Sequence, residues 1–84
     1  MKKIEIFTSS HCPACSNAKR TLDALGIVYT ELDVHVHKDA FIKRTGAKTV
    51  PQIFIGKTLI GGNDKLQEMV RECTLKELLL EEEE

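Results

Sequence analysis

The chain has no tryptophan, one tyrosine and three phenylalanines among its 84 residues. So few rings, with no basic residues interleaved between them, offer no platform for stacking nucleic-acid bases in series. Neither sign of charge dominates, and the formal net charge is −1. A field that weak draws neither nucleic acid nor an anionic membrane. No apolar run approaches the roughly 18 residues of a membrane span. The start, Met1-Lys2-Lys3-Ile4-Glu5-Ile6, lacks the apolar stretch and small-residue cleavage site of a secretory leader, so an intracellular, cytoplasmic protein is expected. Cysteine is scarce and odd in number, at three. A secreted disulfide scaffold of this size more often carries an even set. In a reducing compartment a lone Cys-x-x-Cys points to redox chemistry or metal before structure. Repeats and low-complexity linkers are also missing. One domain over residues 1–80 is expected, followed by Glu81–Glu84 as a frayed acidic tail.

The patterns that are present predict an α/β chain. Ile4 and Ile6 alternate with Lys3, Glu5 and Phe7, which reads as a strand over about 3–8. A polar turn, Thr8-Ser9-Ser10-His11, leads to Cys12 and Pro13. Proline suits the first position of a helix, where its missing N–H is not needed. Ala14, Ala18, Leu22 and Leu25 recur at helical spacing and Gly26 closes the run, for a helix of about 13–25. The β-branched and aromatic stretch Ile27–Val34 reads as a second strand, parallel to the first through a βαβ unit. A short helix over about 37–45 ends at Gly46. Gln52–Ile55 and Thr58–Ile60 form a hairpin around Gly56-Lys57. Gly61-Gly62-Asn63-Asp64 then caps a last helix with Leu66, Met69, Val70 and Cys73 on one face. Thr74…Glu77 has capping-box spacing, so that helix restarts or bends there. The order β-α-β-α-β-β-α gives a four-stranded mixed sheet with helices on both faces.

Chemistry concentrates at Cys12-Pro13-Ala14-Cys15. Two cysteines three apart at a helix start lie within disulfide reach. Free N–H groups and the helix dipole favour negative charge at the first of them. Such a cysteine ionises more readily than an ordinary thiol. Cys12 is therefore the expected nucleophile towards a substrate disulfide, and Cys15, one turn inside, the resolving thiol. His11 precedes the nucleophile and would favour its thiolate if protonated; an exposed turn histidine is the plainer reading. Pro51 is the second unusual residue, because a proline entering a strand removes a ladder donor.

Cys12-Pro13-x-Cys15, Thr49-Val50-Pro51 and Gly61-Gly62-x-Asp64 stand together in an order and spacing that resemble the dithiol glutaredoxins, over about residues 3–73. The resemblance implies the thioredoxin-like fold with a cis bond before Pro51. It implies a glutathione groove made by Pro13, Thr49, Val50, Pro51, Gly62, Asn63 and Asp64. In it the Val50 backbone would pair with the cysteinyl part of glutathione, and Asn63 and Asp64 would hold the γ-glutamyl end. Glutathione would be the co-substrate and no cofactor would be tightly bound. The partners implied are glutathione and disulfide-containing proteins, met by a monomer with no metal, nucleic acid or membrane.

Three positions depart from the pattern: Ala14 where members usually carry tyrosine, Ser9 where many carry lysine, and Lys65 in place of a second acidic residue. Lys48 is the candidate to restore positive charge near the glycyl carboxylate. Two other functions come with the resemblance. One keeps the chemistry but draws electrons from thioredoxin reductase, which Ser9 favours and Gly61-Gly62-x-Asp64 opposes. The other is a carrier that shares a two-iron two-sulfur cluster across a dimer, which Ala14 permits and Pro13 opposes. Elsewhere, His35 and His37 could join Cys12 and Cys15 at a zinc ion, but their spacing does not fit the finger pattern and solvent-facing histidines are the plainer reading. Cys73 is in register with Leu66, Met69 and Val70, which predicts a half-buried packing residue rather than a regulatory thiol. Lys19, Arg20, Lys43 and Arg44 read as solvated helix residues.

Overall fold

A computed structural model describes residues 2–80. The acidic tail expected at 81–84 lies outside the described residues. The elements are β1 (Ile4–Thr8), α1 (Pro13–Ala24), β2 (Thr30–Asp33), α2 (Lys38–Thr45), β3 (Gln52–Ile55), β4 (Thr58–Gly61), α3 (Asn63–Arg71) and α4 (Thr74–Leu80). The sheet order is β2-β1-β3-β4, with β1–β2 parallel and the other pairs antiparallel. The expected mixed sheet with helices on both faces is met, with one helix more than the predicted order. No helix among the described residues is long and apolar enough to cross a membrane.

Register sorts the side chains. Ile4 pairs with Ile55 and Ile6 with Ile53, so four isoleucines share one face. There they pack with Ala18 and Leu22 of α1, Leu66 and Met69 of α3, and Leu75 and Leu79 of α4. On the other face Phe7 and Phe54 meet Phe41 of α2, and Val50 packs against this smaller cluster. Phe7 and Phe41 contact edge to face, with centroids 5.3 Å apart. One face is thus covered by three helices and the other by α2 alone. Arg44 closes the thinner side: its guanidinium lies 4.2 Å from the Phe54 centroid and pairs with Glu5 at 2.8 Å. Arg44 is exposed, as its sequence context suggests, but its head group is engaged by both contacts.

Four features differ from the sequence reading, each for a physical reason. The second strand starts at Thr30 and not Ile27. Gly26 N–H donates to Asp23 O and Ile27 N–H to Leu22 O, the paired bonds of a Schellman end. Ile27 is buried because that motif packs its last apolar residue, while Val28 is fully in solvent. In α1 the buried stripe is Cys15, Ala18 and Leu22; Ala14 and Leu25 are exposed. The last helix breaks at Cys73, where φ is 60°, and restarts at Thr74 as its spacing predicts, but the exposure of Cys73 differs. That left-handed residue carries its side chain out of the predicted stripe, so Cys73 is an exposed free thiol and not a half-buried packing residue. Finally, the Thr74 hydroxyl donates to Met69 O, back onto α3, instead of closing a box with Glu77.

Candidate active site

β1 ends at Thr8, and the turn through His11 delivers Cys12 to the N-cap of α1. Cys12 has extended backbone, with Pro13 at the first helical position. Its Sγ accepts the Cys15 backbone N–H at 3.0 Å, so the sulfur occupies the place of a capping oxygen. No acidic side chain stands in the first turn of α1 to oppose negative charge there. Cys12 and Cys15 form a disulfide, with Cα atoms 5.1 Å apart. Cys12 is half-buried and Cys15 is 1% exposed. One sulfur is therefore open to an incoming disulfide, and the other can be reached only through it.

The Val50–Pro51 bond is cis, as the resemblance implied. The Val50 carbonyl oxygen lies 3.6 Å from Cys12 Sγ, so the segment before β3 passes directly over the sulfur. Gln52 holds that segment: its Nε2 donates to Thr49 O at 3.0 Å. Gly62 is the N-cap of α3. A Cβ there would sit 3.3 Å from the Pro51 carbonyl oxygen, so a side chain would push the start of α3 away from the Pro51 loop. The N–H groups of the first turn of α3 lack intrahelical partners, as at any helix start. Together these pieces form a groove of about 380 Å³ lined by Ala14, Thr49, Val50, Pro51, Gln52, Gly62, Asn63, Asp64 and Lys65. The structure thus brings Thr49, Val50, Pro51, Gly62, Asn63 and Asp64 to one groove beside Cys12. Pro13 is exposed on the rim of the same helix start.

Ser9 is elsewhere. It lines a second, polar pocket with Thr8, Ser10, Ser16, Lys19, Glu31 and Asp33. Here Glu31 Oε2 accepts from Thr8 Oγ1 at 2.7 Å and from Lys19 Nζ at 2.8 Å. The Lys19 ammonium, then the Thr8 hydroxyl, hold the Glu31 carboxyl below its ordinary range, and Glu31 raises Lys19 in return. Lys19 is therefore a solvent-facing helix residue that also has a partner. Lys48 and His35 line a third pocket with Lys38 and Phe41. His37 is the N-cap of α2 without a side-chain capping bond, and residues 34–36 form a turn, so the two histidines do not share a strand face. Among the described residues no three His, Cys, Asp or Glu side chains converge to hold a metal. His11 is exposed.

The model of the family described as Glutaredoxin matches residues 4–60. The chain belongs to the glutaredoxin family. Glutaredoxin 1 of Rickettsia felis is 43% identical over 81 residues, a match covering 90% of this chain and 79% of the relative. The solution structure of glutaredoxin from Brucella melitensis superposes with a TM-score of 0.81 at 35% identity, covering 94% of this chain and 89% of the other. The crystal structure of a buckwheat glutaredoxin–glutathione complex superposes with a TM-score of 0.80 at 31% identity, covering 93% and 76%. With the Cys12–Cys15 pair in place, this glutaredoxin is a thiol–disulfide oxidoreductase of thioredoxin-like fold.

Sequence reasoning missed Gln52 and the Glu31 network. Gln52 had a signal: it is the one polar residue in an otherwise apolar strand, Gln52-Ile53-Phe54-Ile55, and it is 9% exposed. Glu31 had none, because its partners come from two other elements.

Proposed function

We propose that this glutaredoxin reduces glutathione mixed disulfides and protein disulfides, with glutathione as the reductant. The observation that carries the proposal is the groove itself, which runs from Ala14 past Thr49–Pro51 to the start of α3, beside the half-buried Cys12 sulfur. Its chemistry suits glutathione. The Val50 backbone offers an amide edge for the cysteinyl unit. The first turn of α3 offers N–H groups to the γ-glutamyl carboxylate. Asp64 offers a carboxylate to the γ-glutamyl ammonium. The buckwheat relative is described as a complex with glutathione, which agrees with this assignment. One chain completes the groove, which suits a monomer.

In the reaction the Cys12 thiolate attacks the glutathione sulfur of a mixed disulfide, and the target thiolate leaves. A second glutathione thiolate then attacks the glutathione sulfur bound to Cys12. Oxidised glutathione forms and the Cys12 thiolate is restored. With a protein disulfide, Cys12 attacks one sulfur and Cys15 then attacks Cys12, releasing the second target thiolate. That step leaves the Cys12–Cys15 disulfide, which two glutathione molecules reduce. The Cys15 N–H that Cys12 Sγ accepts would stabilise the thiolate each time it leaves.

Cys12→Ser is expected to lose both activities; retained disulfide reduction would sink the assignment. Running the purified protein with glutathione and glutathione reductase, and separately with thioredoxin reductase, tests the reductant. Turnover only in the second system overturns the glutathione reading.

A further inference from the structure

Gln67 lies one turn inside α3 and does not line the groove. Its side-chain nitrogen donates twice, to Asn63 Oδ1 at 3.1 Å and to Thr21 Oγ1 at 2.8 Å. Thr21 Oγ1 in turn donates to the Asn17 carbonyl oxygen at 3.0 Å. The order of donors in this chain is fixed from one end. A backbone carbonyl can only accept, so the Thr21 hydroxyl proton is committed to Asn17. The Thr21 oxygen is then left to accept, and only an N–H can meet it. Gln67 must turn its amide nitrogen that way, and the second N–H of the same nitrogen reaches Asn63. With Oδ1 of Asn63 engaged, the polar atom left to the groove-lining side chain is Nδ2, which can only donate.

We infer that Gln67 is a positioning residue that holds Asn63 with its amide N–H towards the groove, and so selects a carboxylate at the start of α3. This rests on the glutathione reading and assigns the contacted group as the γ-glutamyl α-carboxylate. The same bridge joins α3 to α1, so the helix that carries Cys12 also sets the polarity of the groove's far end. An asparagine without that bridge presents oxygen or nitrogen with equal ease.

Gln67→Glu reverses the polarity, because the introduced carboxylate can only accept: it draws the Thr21 hydroxyl proton away from Asn17 O, takes an N–H from Asn63 Nδ2 and turns Asn63 Oδ1 outward. Gln67→Leu removes the bridge without adding charge. The measurement is single-turnover cleavage by the reduced protein of two mixed disulfides of 2-mercaptoethanol, one with glutathione and one with cysteinylglycine, which lacks the γ-glutamyl group. Gln67→Glu is expected to raise the half-saturation concentration for the glutathione substrate about tenfold, with the maximal rate within about twofold of wild type. Gln67→Leu is expected to raise it about threefold. Neither variant should change the cysteinylglycine substrate. Equal weakening on both substrates would mean a merely structural role and overturns the inference. So does a wild-type half-saturation value for the glutathione substrate in Gln67→Glu. If the wild-type protein itself fails to distinguish the two substrates, the glutathione reading falls and this inference falls with it.

Discussion

Arg44 offers a case where two forces act on one side chain and their sizes can be separated. Its guanidinium is 4.2 Å from the Phe54 centroid and 5.5 Å from that of Phe7, and it is 2.8 Å from Glu5 Oε1. The ion pair is partly solvated, with side chains 34% and 20% exposed, so screening limits it to about 0.5 kcal/mol. Stacking over the two rings, partly shielded from water, contributes about 1–1.5 kcal/mol. Stacking should win. Arg44→Ala should therefore cost about 2 kcal/mol and Glu5→Gln about 0.5 kcal/mol at pH 7, with Arg44→Lys between them. In a domain of this size the first corresponds to a fall in Tm of about 10 °C and the second to about 3 °C. The pH dependence separates them further. The Arg44 guanidinium holds the Glu5 carboxyl below its ordinary value of 4.5. A group whose folded pKa is depressed stabilises above its unfolded pKa, and that contribution is lost as pH falls through the folded value. The gap between wild type and Glu5→Gln should therefore close below pH 4.5. The gap to Arg44→Ala should persist, because the cation over the ring does not titrate. Thermal unfolding followed by circular dichroism across that range is the assay. Equal losses for Glu5→Gln and Arg44→Ala at pH 7 would refute the reasoning.

Cys15→Ser should keep deglutathionylation of small mixed disulfides, since that cycle uses Cys12 and free glutathione alone, but lose most reduction of protein disulfides; paired assays of the two reactions check this. Gly62→Ala places a Cβ 3.3 Å from the Pro51 carbonyl oxygen, and since Gly62 has negative φ the strain is local. It should raise KM for a glutathione mixed disulfide several-fold, with a Tm change of only a few degrees; an unchanged KM would remove Gly62 from the groove.

The elements legible in the sequence were those whose cause is local. Pro13 and Gly46 mark a helix start and a helix end through their own backbone preferences, and both hold. The Ile4/Ile6 alternation names the buried face of β1 because strand side chains point to opposite sides. Ile27 misled because a β-branched apolar residue serves equally as a strand start and as the packed residue after a Schellman end. Cys73 misled because its register with Leu66, Met69 and Val70 holds only while it stays helical; it sits instead, at φ 60°, in the break that the Thr74…Glu77 spacing marks. At the site, the Cys12–Cys15 chemistry follows from helix-start physics. The groove does not: Thr49, Asn63 and Asp64 meet only through the fold, and the resemblance supplied what periodicity could not. Gln67 and Thr21, 46 residues apart, carried no sequence signal at all.

The unequal loading of the sheet has a consequence for motion. Cys15 and Ala18 belong to a helix seated on the face that three helices cover, whereas Val50 packs only on the three-ring cluster beneath α2. Regions with fewer buried contacts open locally at lower free energy, and amide exchange reports the difference. The reactive sulfur is thus held on the more heavily packed face, and one wall of the groove hangs from the more lightly packed one, where amide exchange is expected to be faster. On that packing, the wall at 46–50 is expected to yield to a bulky target before the attacking atom moves.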